Sequence, residues 1–288
     1  MQLSDIFRPD FLLAHALYGS LAVGLVCPLA GVYFVLRRLV LWGVALPQVA
    51  SAGIAFAFLL QGLGCTLLAG SETGERHLAI AASLLFTGAA ILALLFMERR
   101  SRAASEGRIG VLYALAWAAS ILFVASNAAG ESEMAGLLKG EIVSISGPDF
   151  RAILWGFGLI AACLAVFRRE FTLVSYDRDM ASVLGRRAVL WDLFLYLLIG
   201  LAISLGVMTV GPLVIFAFLV IPPMAALPWA RGMTSLSLLA ALIGGVSAFG
   251  GFCLSYVCDL PLGPVIVCAA GALLAVSRGA AALRASSR

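Results

Sequence analysis

The run Leu190–Leu227, LWDLFLYLLIGLAISLGVMTVGPLVIFAFLVIPPMAAL, carries a single charged residue, Asp192, near its start. A helix needs about 20 apolar residues to cross roughly 30 Å of hydrocarbon. The run is therefore long enough for two crossings, divided at Gly211-Pro212. Leu236–Val257 is another uncharged stretch of crossing length. Only helices or closed barrels satisfy backbone polar groups in lipid. Barrel strands would read as short segments of alternating polarity, which this sequence lacks. Over all 288 residues, 62% are hydrophobic and 12% charged, against about half and about a quarter in an average soluble domain. The expected fold class is all-α: a polytopic membrane helical bundle, with residues 1–288 forming one transmembrane domain.

Working outward from that run, apolar segments and charged breaks give about nine transmembrane helices (eight to ten). They lie near 11–36, 44–62, 78–97, 109–126, 151–167, 190–209, 212–229, 235–257 and 261–277. Asp5, Arg8 and Asp10 precede the first of them in place of a basic n-region, so it is expected to span rather than to be cleaved. Positive charge is retained on the cytoplasmic side. With the N-terminus outside, the inner segments hold Arg37 and Arg38; Arg99, Arg100, Arg102 and Arg108; Arg168, Arg169, Arg178, Arg186 and Arg187; Arg231; and Arg278, Arg284 and Arg288. That is 15 of the 19 basic residues, leaving Arg8, Arg76, Lys139 and Arg151 outside. The expected arrangement is N-terminus outside and C-terminus cytoplasmic, in the inner (cytoplasmic) membrane. The same distribution explains the net charge of +4. The arginines flank helices on several short segments instead of forming the single patch a nucleic acid would need.

Two segments between spans stand out. The outer segment 127–150 carries Glu131, Glu133, Lys139, Glu141 and Asp149. It reads either as an ordinary loop or as part of an outer vestibule that receives a delivery protein. The inner segment 168–190 is the longest soluble stretch. Within it, Asp177-Arg178-Asp179-Met180 opens a short helix with acid in its first turn, and Gly185 ends it. Met180, Val183 and Leu184 then share one face. Such a stripe fits a partner's groove or the bilayer surface.

Proline breaks in corresponding places of two halves point to a translocation path in secondary transporters, and the rule is borrowed here. Pro47 with Gln48, and Pro222-Pro223 with Met224, form such a pair. Each proline frees a carbonyl four residues back; packing kinks are the competing reading. Ionisable residues within spans are costly and hence candidates for function. His15 and Asp192 lie near span ends, and His77 and Asp259 at outer boundaries. With no carboxylate at the centre of any span, a proton-coupled carrier is disfavoured. The lack of a reactive cluster at one membrane face disfavours a membrane enzyme. The six cysteines show no metal-ligand spacing and read mainly as small packing residues.

Five groups of residues follow one another along the chain: Val35-Leu36-Arg37-Arg38-Leu39 with Gly43-Val44-Ala45-Leu46; Gly140-Glu141-Ile142 with Ser144; and Val174-Ser175-Tyr176-Asp177-Arg178-Asp179-Met180-Ala181 with Gly185 and Leu190-Trp191-Asp192. Then come Val210-Gly211-Pro212-Leu213-Val214 with Val220–Ala226, and Ser255-Tyr256 with Asp259–Pro264. In this order they resemble the membrane-spanning permeases of zinc-, manganese- and iron-type ABC transporters. The resemblance implies an ATP-driven importer of divalent metal ions built from two permease copies and two cytoplasmic ABC ATPase subunits, with an extracytoplasmic metal-binding protein delivering the ion. The chain itself would then be no enzyme and hold no cofactor. ATP and Mg would sit on the partner, in keeping with the absence here of the Gly-x-x-x-x-Gly-Lys-Ser/Thr pattern. The resemblance also makes Asp177, Arg178, Asp179, Met180, Val183, Leu184 and Gly185 the ATPase-coupling residues. It does not extend to a metal site. Where the family commonly has Asp and His at the start of the second span, this chain has Val44 and Gln48, neither of which replaces a carboxylate or imidazole. Three possibilities stay open: passage with few protein ligands, coordination by other groups, or a cargo that is a metal chelate or another small solute.

Overall fold

The computed structural model describes residues 13–63, 72–98, 105–126, 147–185 and 187–286. The outer segment expected over 127–150 lies outside the described residues as far as 146. Among the described residues every regular element is helical. The order is α1 (Ala14–Leu36), α2 (Val40–Gly62), α3 (Glu72–Glu98), α4 (Ser105–Ala125), α5 (Gly147–Val166), α6 (Arg168–Tyr176), α7 (Arg178–Val183), α8 (Ala188–Val210), α9 (Pro212–Ala226), α10 (Met233–Cys258) and α11 (Leu262–Ser286). A 3-10 turn, Leu227–Trp229, follows α9. Eight single helices are long and apolar enough to cross a membrane, and α5 with α6 makes a ninth if that bent pair is one span. Each expected span corresponds to one of these. The last one outruns its expected end at 277, because Ala280, Ala281, Ala282 and Leu283 favour helix after the apolar run has stopped.

The connections show how the chain is made to turn. Only Arg37–Leu39 separate α1 from α2, so α2 begins at Val40 rather than 44. Leu39 N–H donates to the Phe34 carbonyl at 2.9 Å and Arg38 N–H to that of Val35 at 3.2 Å, the two bonds of a Schellman close. Arg38 holds the left-handed position (φ 57°) that glycine usually takes, at a cost of about 1 kcal/mol. Gly211 alone joins α8 to α9, with φ 82° and ψ 164°, a region open essentially to glycine. Pro212 then opens α9, where its missing N–H leaves no bond unmade. The opening run thus divides where its Gly-Pro dipeptide stands.

In the bundle, α2 packs on α3 and α4, while α1 packs on α9 and α10 and α11 closes over those two. Between them lies α8, against α1, α2, α3 and α9, and α5 packs on α1 and α8. Cys27 and Phe34 of α1, Leu46 and Ile54 of α2, Ile199 and Ile203 of α8, and Phe218 and Leu219 of α9 are buried in one continuous core. These four helices are buried on more than one side and so carry no polar stripe. By contrast α4 turns Val111, Leu115 and Leu122 outward, as suits contact with hydrocarbon.

Apolar area buried between helices gains little in lipid, so close approach at small residues matters more. A Cβ added at Gly31 of α1 would strike the Leu219 carbonyl on α9, with the Leu219 Cα also within 2.8 Å. Backbone cannot swing aside as a side chain can. Gly31→Ala is therefore expected to destabilise the protein by about 3 kcal/mol, the upper end of ordinary overpacking. Gly88→Ala, which meets nothing within 4 Å, should be neutral or slightly stabilising by helix propensity. Thermal unfolding of the detergent-purified protein separates the two, and equal behaviour would refute the close approach.

Candidate functional site

The segment 168–190 contains two helices where one was expected. α5 ends at Val166, and after Phe167 α6 leaves it at 65°. Rings pin the bend: Phe167 lies 5.4 Å from Trp191 and 5.6 Å from Phe194, and Phe171 lies 5.6 Å from Phe194 and 5.9 Å from Tyr33, between centroids. Phe171 and Val174 are buried and Tyr176 is exposed. That inward face at i and i+3 was the sequence signal for α6, hidden by the arginine pair where the apolar run stops.

α6 ends at Asp177, whose backbone is extended (φ −147°, ψ 98°). Its Oδ1 accepts from Met180 N–H at 2.8 Å, so Asp177 is the N-cap of α7 rather than a first-turn residue. Arg178 opens α7, and Asp179 stands exposed in its first turn. Ala181 is fully buried with Val174 and Ala188, backed by Leu173 and Trp191. On this foot Met180, Val183 and Leu184 are 50%, 81% and 57% exposed. Leu184 N–H closes on the Met180 carbonyl at 3.0 Å, and Gly185 follows at φ 73°. All the coupling residues named from the sequence thus lie on one short helix and its two ends, with three apolar side chains uncovered.

Beside this helix sits a cluster that the sequence did not announce. Arg37, at the end of α1, donates from Nη1 to Asp192 Oδ1 at 2.7 Å and to the Tyr196 hydroxyl at 3.2 Å, both on α8. Its Nε donates to Ser175 Oγ on α6 at 3.0 Å. The Arg37 and Asp192 side chains are only 12% and 9% exposed. Arg37 Cζ lies 5.3 Å from the Tyr196 ring centroid, and Tyr196 stacks at 5.5 Å on Trp42 of α2. Arg37 had been read as a topology marker and Asp192 as an ionisable group near a span end. Nothing in their spacing of 155 positions could pair them.

The proline-marked residues occupy the interior. Pro47, Gln48, Pro222 and Pro223 are buried, and Met224 is half-buried against the core. α2 and α9 lie side by side, the Gly43 position within 3.5 Å of Val220. Gln48 addresses another neighbour: its Nε2 donates to Ser120 Oγ on α4 at 3.4 Å, and Ser120 in turn donates to the Ala116 carbonyl at 2.8 Å. Among the described residues, no three His, Cys, Asp or Glu side chains come together as a metal site. The other polar groups of the deep interior are hydroxyls, and those of Ser83 and Thr87 on α3 and Ser204 on α8 have no hydrogen-bond partner.

Residues 10–279 match the ABC 3 transport family. The chain is 31% identical over 269 residues to the zinc transport system membrane protein TroC of Treponema pallidum, covering 90% of this chain and 85% of that one. It is 27% identical over 255 residues to the manganese transport system membrane protein MntC of Listeria innocua, covering 88% and 85%. Its fold resembles that of PsaBC from Streptococcus pneumoniae, solved in complex with Fab, with a TM-score of 0.82 at 21% identity over 95% of this chain and 93% of the other. A polytopic helical bundle with this order of motifs, matched over nearly its whole length, belongs to the ABC 3 transport family.

Proposed function

We propose that this permease imports a divalent metal ion (zinc, manganese or iron) across the inner membrane, as one of two copies driven by cytoplasmic ATPase subunits. The exposed face of α7 carries this reading. A six-residue helix anchored through Ala181 and presenting Met180, Val183 and Leu184 is built to seat in a groove, and in an ABC transport family that groove belongs to the ATPase. ATP and Mg are then handled by the partner, and the chain itself carries out no reaction.

Orientation follows from charge. Arg37, Arg168, Arg169 and Arg187 lie at the end of the bundle that bears α7. Arg284, over the Trp229 ring at 4.4 Å, belongs to that end too, since the end of α9 packs beside the end of α1 through Ala226 and Val32. Retention of positive charge on the cytoplasmic side supports the reading that this end faces the cytoplasm and the His15 end the outside, where an extracytoplasmic metal-binding protein would deliver the ion.

The nature of the cargo rests on the zinc and manganese relatives. A metal chelate or other small solute is the second reading, favoured by the interior itself: among the described residues Asp192 is the one buried carboxylate, and it faces Arg37. In cells expressing the permease with its genomic ATPase and binding protein, elemental analysis should show one divalent metal rising only while the ATPase is active. No change for any metal, with the complex assembled, would transfer the assignment to a chelate or organic solute.

Met180→Asp puts a charge on the exposed stripe without touching the core, and Gly185→Pro forbids the positive φ that closes α7. Each should lower ATPase co-purification about tenfold or more, equivalent to about 1.4 kcal/mol, while Met180→Asp leaves thermal unfolding of the permease unchanged. Complexes that survive both substitutions would refute the coupling role. Gln48→Leu keeps the volume and gives up one long hydrogen bond, so stability should change by less than about 1 kcal/mol. If α2 lines the path, the uptake rate or metal preference shifts. Unchanged uptake across a panel of metals would leave Gln48 as a packing residue.

A further inference from the structure

Force received by α7 leaves it chiefly through α6 and α8, the described elements it packs on most. α6 is held to the bundle in two ways. One is apolar: Phe171 and Val174 are buried against their neighbours. Contacts of this kind are non-directional and permit sliding. The other is polar: the Tyr33 side chain of α1 hydrogen-bonds that of Thr172 on α6, and the Arg37 fork reaches α6 through Nε and Ser175 Oγ, and α8 through Nη1 and Asp192 Oδ1. Ser175 stands two residues before Asp177, the residue that caps α7. Beyond the fork, Tyr196 accepts from the same Nη1 and stacks on Trp42. Trp42 is buried at the start of α2, the helix that carries Pro47 and Gln48.

We infer that Arg37, with Asp192 and Ser175, is the positioning link that carries movement of the α6–α7 segment into α1, α8 and α2. The inference rests on the coupling role proposed for α7 and names the residues through which it acts. Three observations carry it. The guanidinium bonds to two elements at once, so α6 cannot be displaced without pulling on α1 and α8. The Schellman close with Arg38 in the left-handed region turns Arg38 outward and leaves Arg37 folded over the bundle end, so this geometry is held against local strain. Finally, a buried ion pair adds little net stability compared with apolar residues of the same volume. The energetic reason to keep one here is therefore weak and the geometric reason strong.

The test uses the permease reconstituted with its ATPase in proteoliposomes. It measures ions moved per ATP hydrolysed, with Mn2+, Zn2+ and Fe2+ each alone as probes. Ser175→Ala cuts the fork's tie to α6 and leaves the ion pair standing, so folding and ATPase recruitment should be retained. Ions per ATP should fall about fivefold, within the range that mutations along a coupling network produce, and Ser175→Thr, which keeps the hydroxyl, should restore the ratio. Asp192→Asn should lower the ratio further. If it prevents assembly because Arg37 is left buried and unpaired, the serine pair decides the matter. Wild-type transport with an unchanged ratio in Ser175→Ala overturns this inference alone. A wild-type complex that hydrolyses ATP but moves none of the three ions overturns the metal-import reading, and with it the ratio on which this inference rests.

Discussion

A helix in lipid gains almost nothing by exchanging acyl chains for the apolar surface of a neighbouring helix, so this bundle depends on how closely its backbones can approach. Gly31 of α1 against the Leu219 backbone of α9 is the contact on which the rest is arranged. Together with Gly24 against the Gly244 backbone of α10, it sets α1 between α9 and α10, with α8 and α5 alongside. The end of α1 is thereby brought over α8, within reach of Asp192. Had α1 stood an ångström or two further out, the Arg37 fork could not span α6 and α8 together. Packing at mid-membrane and ion pairing at the membrane face are one geometric problem, solved by a residue with no side chain.

Much of this architecture could be read from the sequence because the bilayer imposes length. Leu190–Leu227 had to be two crossings whatever its neighbours did, and the Gly211 backbone makes the one-residue turn that the Gly-Pro dipeptide advertised. What escaped was structure that the bilayer does not dictate. α6 lies at 65° to α5 and is amphipathic over only nine residues, too short for an apolar run to mark it. α11 continues to Ser286 on helix propensity after the hydropathy signal has ended at Arg278. In both cases a local preference shapes the helix where the apolar run is short or interrupted by arginine.

The site divides in the same way. The α7 stripe was legible because three apolar residues at i, i+3 and i+4 on a soluble segment have one geometry open to them, and Met180, Val183 and Leu184 are exposed together. The Arg37–Asp192 pair was not, since two ionisable residues 155 positions apart meet only through tertiary structure. Gln48 falls between. Its position beside Pro47 marked it, but its orientation toward Ser120 on α4 depends on the rotation of α2, which a helix buried on all sides does not reveal by periodicity.

The interior these helices build bears on what could pass through it. Among the described residues the buried polar groups are chiefly hydroxyls, with the Gln48 amide and the Asp192 carboxylate, and the latter already faces a cation. Neutral oxygens hold a divalent ion far more weakly than carboxylates and imidazoles do. For a carrier that is a merit when selection is made elsewhere: an ion held tightly inside the permease must be released by the same ATP-driven movement that admits it, and each added ligand raises that barrier. Uncharged hydroxyls such as those of Ser83, Thr87 and Ser204, buried and without partners, ask for little in exchange. Selectivity would then rest with the delivery protein, and the permease would supply the gate and the lever. That division of labour would account for Val44 and Gln48 standing where the resemblance leads one to expect a carboxylate and an imidazole. Among the described residues the buried charged pair stands instead at the end that bears α7, in the Arg37 fork.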